Sequence, residues 1–174
     1  MKQTKAIKLA YTAGIVDGEG SICIVKRRRH GINSGRSTQY FILVSVVQKD
    51  GSVIDWLKGN FDGNVVLKNK ANDGSDWIYQ WRIQDKKAYE FLKLIFPFLL
   101  VKKSQAELAI RFQERLKFAR KKNVDINGHY IPLTEHELSQ REEIFLEIKR
   151  LKHCFRKSKV PNVKEYTFKS MVQA

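Results

Sequence analysis

The stretch from Leu9 to Ser21, LAYTAGIVDGEGS, limits the possible folds more than any other part of the chain. The helix that it predicts is apolar on nearly every side, and only Lys8 and Thr12 remain to face water. We therefore expect this helix to be buried on most of its circumference. A stripe of small residues at helical spacing, which would let a second helix backbone approach closely, consists of Ala10, Ala13 and Gly14.

The predicted helix is expected to end within Asp17–Gly20, DGEG, because two glycines interrupt the helical pattern there. Glu19 is then a lone carboxylate at the exit of the helix, and a strand follows at once from Ser21. Taken alone, such a tetrapeptide is typical of a turn with a solvated acid. A buried helix that delivers one acid to the start of a basic strand indicates a functional site instead.

The charge of the chain indicates a polyanionic partner. Its 174 residues include 33 Lys and Arg against 18 Asp and Glu, which gives a net charge of +15. This excess favours nucleic acid as the partner. A protein that binds an acidic membrane surface, or one that is associated with the ribosome, could carry a similar excess. With 43% hydrophobic residues, the chain is long enough for one domain with a core.

Cysteine usage and hydropathy predict a soluble, intracellular protein, in the cytoplasm or nucleoid or in an organelle, with no membrane partner. The two cysteines, Cys23 and Cys154, are too few and too far apart for a disulfide scaffold. The N-terminal apolar run is interrupted by Lys8 and closed early by Asp17, so it does not fit a secretory signal. No stretch is long enough to span a bilayer.

The rest of the chain predicts two hairpins that alternate with helices. Strands are predicted at Ser21–Arg29, Ser37–Gln48, Val65–Lys70 and Trp77–Gln84. Helices are predicted at Asp50–Phe61, Asp85–Phe96, Lys102–Lys122 and Thr134 to about His153, the last opened by a capping box of Thr134 and Glu137. The predicted fold class is α+β: a four-stranded antiparallel sheet with helices on one face and extra C-terminal helices. Residues 1–122 would form the core, and 123–174 a C-terminal helical extension and basic tail of the same domain.

The sheet face without helices would be solvent-exposed or cover a ligand, and its basic side chains favour DNA. A two-stranded ribbon fits the major groove, where alternate side chains can reach base edges. The candidate DNA contacts on or near this face are Ser21, Arg27, Arg29, Arg36, Gln39, Lys68, Lys70, Gln80 and Arg82. On the opposite face, Tyr79, Trp81 and Ile83 are predicted to lie in the core.

The segment Thr12–Gly20, TAGIVDGEG, resembles the LAGLIDADG motif of the homing endonucleases. Identical letters are found at Ala13, Gly14, Asp17 and Gly20. Glu19 replaces the second Asp of the motif conservatively, whereas Thr12 and Gly18 depart from its usual Leu and Ala. The element order extends the resemblance over roughly Lys5–Lys122, since this family has an αββαββα core with a saddle-shaped sheet.

The resemblance implies a site-specific DNA endonuclease that hydrolyses phosphodiester bonds with a divalent metal. Glu19 and the backbone carbonyl of Gly18 would hold magnesium (Mg2+), with manganese (Mn2+) as a substitute, whereas calcium (Ca2+) would bind without turnover. Gln48 aligns with a polar residue that positions the nucleophilic water. Lys102 aligns with a lysine that stabilises the developing charge, and Lys103 is the competing candidate.

The motif occurs once, and one acidic site cuts one strand, so a double-strand break requires two chains. The resemblance implies a homodimer on a long, near-palindromic site, encoded within an intron or intein. Ala10, Ala13 and Gly14 are the candidate dimer interface, although packing within the core would also account for their small size. The alternative functions are an RNA maturase that binds intron RNA during splicing, and a catalytically inactive DNA-binding regulator.

Overall fold

The computed structural model describes residues 4–27, 38–68, 78–122 and 134–157, and this part of the chain forms five helices and four strands. The helices are α1 (Lys5–Glu19), α2 (Gly51–Phe61), α3 (Asp85–Ile95), α4 (Lys103–Lys122) and α5 (Glu135–Lys157), with a 3-10 turn at Phe96–Phe98. The strands are β1 (Gly20–Arg27), β2 (Gln39–Gln48), β3 (Asn64–Lys68) and β4 (Ile78–Gln84). The α+β class and the αββαββα order predicted from the sequence are confirmed.

The four strands form one antiparallel sheet in the order β1-β2-β4-β3. The second hairpin therefore joins the first through β4, its later strand, and β1 and β3 lie at the edges. In this register Gly20, the first residue of β1, pairs with Val46 near the end of β2. The exit of α1 and the last residues of β2 consequently lie at the same end of the sheet.

One face of the sheet packs against the helices and the other face is open. Alternate residues along a strand point to opposite faces, and in β1, β2 and β4 one alternate set is buried. Trp81 is fully buried on the helix-covered face, and its indole Nε1 donates a hydrogen bond to the backbone oxygen of Asp62 at 2.6 Å. Ile83 is buried on the same face and Tyr79 packs against the core. The predicted assignment of these three residues to the core is confirmed.

Helix α1 is buried on one side only, which corrects the expectation that most of its circumference is covered. Thr12, expected to face water, is fully buried, and its hydroxyl donates to the backbone oxygen of Lys8 at 2.7 Å. That bond satisfies the polar group inside the core. The exposed α1 face consists of Ile7, Ala10, Tyr11, Gly14 and Gly18. Ile7 and Tyr11 are 55% and 54% exposed, although both have large apolar side chains.

Helix α5 packs on β1 and is anchored by Glu142. The Glu142 carboxylate accepts hydrogen bonds from Lys26 Nζ at 2.7 Å and from the Tyr40 hydroxyl. The hydrogen bond to Glu142 raises the pKa of Lys26, and burial followed by the hydrogen bond to Glu142 raises the pKa of Tyr40. Farther along the same helix, Ile148 is almost completely buried. The helix begins as predicted, with Thr134 Oγ accepting from the Glu137 N–H at 3.3 Å.

Helix α5 ends at Lys157, beyond the predicted end near His153. The division of the chain at residues 122 and 123 stays a prediction, because 123–133 and 158–174 lie outside the described residues. Within the described ranges, no helix is both long and apolar enough to cross a membrane.

Candidate active site and nucleic-acid interface

Asp17 joins the end of α1 to the segment before α4. Its carboxylate accepts hydrogen bonds from the backbone N–H groups of Leu100, Val101 and Lys102 at 2.7, 3.2 and 2.8 Å. An acid in the last turn of a helix is disfavoured by the helix dipole, so Asp17 needs donors from elsewhere in the chain. The consequence is that the segment 100–102 is fixed against the exit of α1. No role for Asp17 was predicted from the sequence, although its unfavourable place in the last helical turn was an available signal.

Glu19 is the last residue of α1, and its side chain is exposed at the junction with β1. The chain turns sharply here because Gly20 closes the helix, its N–H donating to the Val16 oxygen. A Cβ at Gly20 would lie 2.6 Å from the Val16 oxygen, so the turn requires glycine. The carbonyl of Gly18 belongs to the last helical turn, where carbonyl groups have no partner within the helix. An exposed carboxylate and a carbonyl of the last helical turn thus lie one residue apart.

Lys102 lies beside this junction. Its ammonium group donates a hydrogen bond to the backbone oxygen of Asp17. The pKa of Lys102 is lowered overall, and the largest cause is burial. The negative charges of Asp17 and Glu19 act to raise it, and the positive charge of Lys152 acts to lower it. Lys102 is therefore held within electrostatic range of Glu19. The competing candidate, Lys103, is exposed and places its ammonium group over the Phe96 ring, 5.4 Å from the ring centroid.

Gln48 is the last residue of β2 and lies at the same end of the sheet as the exit of α1. It follows two residues after Val46, the register partner of Gly20. Its own register partner is Tyr79, on β4, and its side chain is half-buried. The fold therefore brings Gln48, Glu19 and Lys102 to one end of the sheet from three separate parts of the sequence.

Lys152 of α5 also reaches this region, and the sequence analysis did not identify it. Its Nζ donates a hydrogen bond to Ser21 Oγ at 2.8 Å, across 131 positions of the sequence. Ser21 is the first residue of β1 that points to the open face, two positions after Glu19. No local pattern could have found this contact, because it depends on the packing of α5 against β1.

The open face of the sheet carries several of the predicted DNA contacts. Cross-strand pairing aligns Ser21 with Ser45 of β2, and Ser45 with Arg82 of β4. Arg82 is half-buried, and its buried Nε has no hydrogen-bond partner in the described part of the chain. Gln80 points the same way but is only 8% exposed, so little of its side chain can meet a ligand.

The other predicted contacts are at the edges of the open face or outside the described residues. Arg27 is exposed and pairs with Gln39, and its guanidinium lies over the Phe41 ring, 5.3 Å from the centroid. Lys68 ends β3, opposite Ile78. Three candidates fall outside the described residues: Arg29, Arg36 and Lys70.

The three small residues of the α1 stripe are in different environments. Ala10 and Gly14 lie on the exposed α1 face, and a Cβ built at Gly14 would meet no other heavy atom within 4 Å. Ala13 is fully buried in the core of the single chain. The prediction that Ala13 lies in a dimer interface is therefore wrong. It is one helical step of about 100° from Gly14, so it points away from the exposed α1 face.

The described residues contain no group of three or more His, Cys, Asp and Glu side chains that could hold a metal. This is compatible with magnesium, which uses one or two carboxylates together with substrate phosphates and water. An exposed carboxylate at Glu19 and the helix-end carbonyl of Gly18 are oxygen donors of the kind that magnesium requires.

This four-stranded antiparallel sheet, covered on one face by helices, matches the fold of LAGLIDADG homing endonucleases of known structure. Three solved structures show this similarity. The homing endonuclease I-CvuI in complex with its target in the presence of calcium has a TM-score of 0.62 at 20% identity, covering 84% of this chain and 83% of that chain. The archaeal intron-encoded homing endonuclease I-Vdi141I complexed with DNA has a TM-score of 0.61 at 20% identity, covering 85% of this chain and 86% of that chain.

The I-LtrWI LAGLIDADG homing endonuclease bound to target DNA has a TM-score of 0.56 at 17% identity, covering 84% of this chain but only 44% of that chain. The present chain therefore corresponds to most of the two shorter enzymes and to less than half of the longer one. No protein-family model and no curated protein sequence matches the chain.

Proposed function

We propose that the protein is a site-specific double-strand DNA endonuclease that uses a divalent metal and acts as a homodimer. The observation that carries this proposal is the group of residues at the exit of α1. There Glu19 is exposed at the junction of α1 and β1, and Asp17 fixes the segment that bears Lys102 against the exit of α1. The similar solved structures I-CvuI and I-Vdi141I are homing endonucleases in complex with target or DNA, which supports the same activity here.

Each residue of the site has a distinct role in this proposal. Glu19 and the carbonyl of Gly18 would hold magnesium, for which manganese would substitute, while calcium would support binding only. A divalent ion held there would supply Lewis-acid stabilisation of the negative charge that develops during phosphodiester hydrolysis. Lys102 adds a fixed positive charge beside the phosphate, where negative charge develops in the transition state. Gln48, at the same end of the sheet, orients the attacking water.

Homodimerisation through the exposed α1 face would supply the second site. Ile7 and Tyr11 leave large apolar side chains in water on this face, which is typical of a surface that another protein covers. The absence of side chains at Gly14 and Gly18 lets a second helix backbone come close. A two-fold axis beside α1 would place both Glu19 residues near it, one for each DNA strand. The coverage of only 44% of I-LtrWI is also consistent with a chain that provides one half of a complete enzyme.

The open face of the sheet is the proposed DNA-binding surface. Arg27 and Arg82 can donate to base edges in the major groove, because alternate side chains of a ribbon reach the groove floor. The net charge of +15 supplies the sequence-independent attraction to phosphates. An inactive DNA-binding regulator is a weaker proposal, since it gives no reason for Lys102 to be anchored beside an exposed acid.

Incubation of the protein with magnesium and a randomised duplex library, followed by sequencing of the new ends, tests the activity. The expected result is a set of ends that share one long, near-palindromic site with both strands cut. The maturase alternative is examined by incubating the protein with an intron RNA and the same duplex library. Protection or splicing of the RNA, with the DNA left intact, would reject the endonuclease proposal.

A further inference from the structure

Lys152, from the C-terminal helix α5, lies near the α1 exit. Its ammonium group lies 2.8 Å from Ser21 Oγ. The helix that carries it is fixed on β1, because Glu142 binds Lys26 and Tyr40, and Ile148 is buried one turn before Lys152. The position of Lys152 is therefore determined by the packing of α5.

The contacts of Lys152 leave most of its binding capacity unused. Within the described part of the chain it forms no ion pair, and its hydrogen-bond partner is the neutral hydroxyl of Ser21. A lysine ammonium has three N–H donors, so two remain for a ligand. Ser21 points to the open face two positions from Glu19, so a ligand that reaches these donors lies next to the candidate active site.

A second ammonium group, that of Lys102, lies near the α1 exit and donates a hydrogen bond to the backbone oxygen of Asp17. Of the two acids that surround Lys102, Asp17 is occupied by backbone N–H groups from residues 100–102. A phosphate that approaches the open face beside Ser21 would be attracted by the ammonium group of Lys152, because opposite charges attract.

We propose that Lys152 binds a DNA phosphate beside Glu19 and so positions the strand that is cut. The chemistry fits, because lysine is a compact point charge that commonly binds phosphate. The C-terminal helix would then be part of the active site and not only a structural extension. The inference rests on the proposed function for its location on DNA, but the phosphate contact itself can be measured without cleavage.

The salt dependence of DNA binding measures this contact directly. Binding of a mixed-sequence duplex is measured with calcium present at about 50 to 200 mM salt, where each neutralised phosphate contributes about 0.9 to the slope of log K against log salt. Lys152→Ala should reduce the slope by about one for each protomer, whereas Lys152→Arg should restore it. The matched control is Lys149→Ala, an exposed lysine on the same helix, which should leave the slope unchanged.

A second measurement connects the contact to cleavage. With magnesium and saturating target DNA, the single-turnover rate constant of Lys152→Ala should fall at least about tenfold, equivalent to about 1.4 kcal/mol. If Lys152→Ala does not fold, Lys152→Gln keeps a donor for Ser21 without the charge, and it must show the same loss of slope. An unchanged slope and an unchanged rate constant in either folded variant would overturn the inference. A reduced slope with a wild-type protein that cuts no DNA would instead support the phosphate contact and reject the endonuclease.

Discussion

Replacing Gly14 by leucine should separate two copies of the protein without damaging the fold of either. A Cβ at Gly14 meets no other heavy atom within 4 Å, and the residue lies in the middle of α1 on its exposed face. Within one protomer the change should stabilise α1, since glycine is about 1 kcal/mol less favourable than a good helix former in a helix interior.

The effect on the dimer should have the opposite sign. Packed helices lie about 8–10 Å apart, and the closest approach needs small residues at the contact. A leucine at the contact would push the helices apart or force strained rotamers, at a cost of about 1–3 kcal/mol for overpacking. We expect the dissociation constant of the dimer to rise by about 5- to 150-fold. Sedimentation velocity should show a species near the 20.3 kDa chain mass at concentrations where the wild type has twice that mass.

Gly59→Leu is the matched control for this prediction. Gly59 lies in α2, is exposed and also has no heavy atom within 4 Å of a built Cβ. It should stabilise its helix in thermal unfolding by a similar amount and leave the dimer intact. If Gly14→Leu dimerises as strongly as the wild type while both variants are folded, the exposed α1 face is not the interface.

Three further changes test separate parts of the structure. Asp17→Ala should lower the free energy of unfolding by about 2–3 kcal/mol in urea, because three backbone donors lose a charged acceptor; no loss would mean that the segment 100–102 holds its place without Asp17. Arg82→Ala should fold normally, and cleavage profiling of single-base target variants should show a relaxed base preference, by about 1–3 kcal/mol per lost contact. Trp81→Ala should instead lower the free energy of unfolding by about 3–5 kcal/mol. The reverse pattern would mean that the opposite face of the sheet binds DNA. Because the pKa of Tyr40 is raised in the folded state, its stabilisation is complete below its ordinary pKa of 10.0 and is lost as the pH rises through the folded value. The stability advantage of the wild type over Tyr40→Phe should therefore shrink above about pH 10 in unfolding experiments, and a constant difference would contradict the raised pKa of Tyr40.

The helices and strands followed from local sequence patterns. The alternation Tyr79, Trp81, Ile83 identified the buried side of β4, because period-two burial is a property of a single strand. The glycines after Val16 correctly marked the end of α1 to within a few residues. The exposed side of α1 could not be predicted in the same way. Both sides of this helix are apolar, so periodicity alone cannot tell a core from a surface that a second chain would cover.

The contacts between distant segments could not be derived from local patterns. Asp17 binds backbone groups more than 80 positions away, and Lys152 reaches Ser21 across 131 positions. Such pairs depend on the pairing of β2 with β4 and on the place where α5 packs, and neither has a local sequence signature. Glu19, Gln48 and Lys102 could be named from the sequence because the motif resemblance supplied long-range information that periodicity lacks. The structure brings these three to one end of the sheet, and their catalytic roles remain predictions.

The most direct test of the central claim compares Glu19→Gln with the wild type on a duplex that carries the target site. The substitution removes one negative oxygen donor at the α1 exit and leaves the size of the side chain almost unchanged. The control is Glu107→Gln, which changes an exposed acid on α4 in the same way. We predict that with magnesium Glu19→Gln loses detectable cleavage, and that with calcium it binds the duplex within about threefold of the wild type, less than about 1 kcal/mol. Glu107→Gln should both bind and cut normally, and cleavage by Glu19→Gln at the wild-type rate would contradict the assignment of this site as the active site.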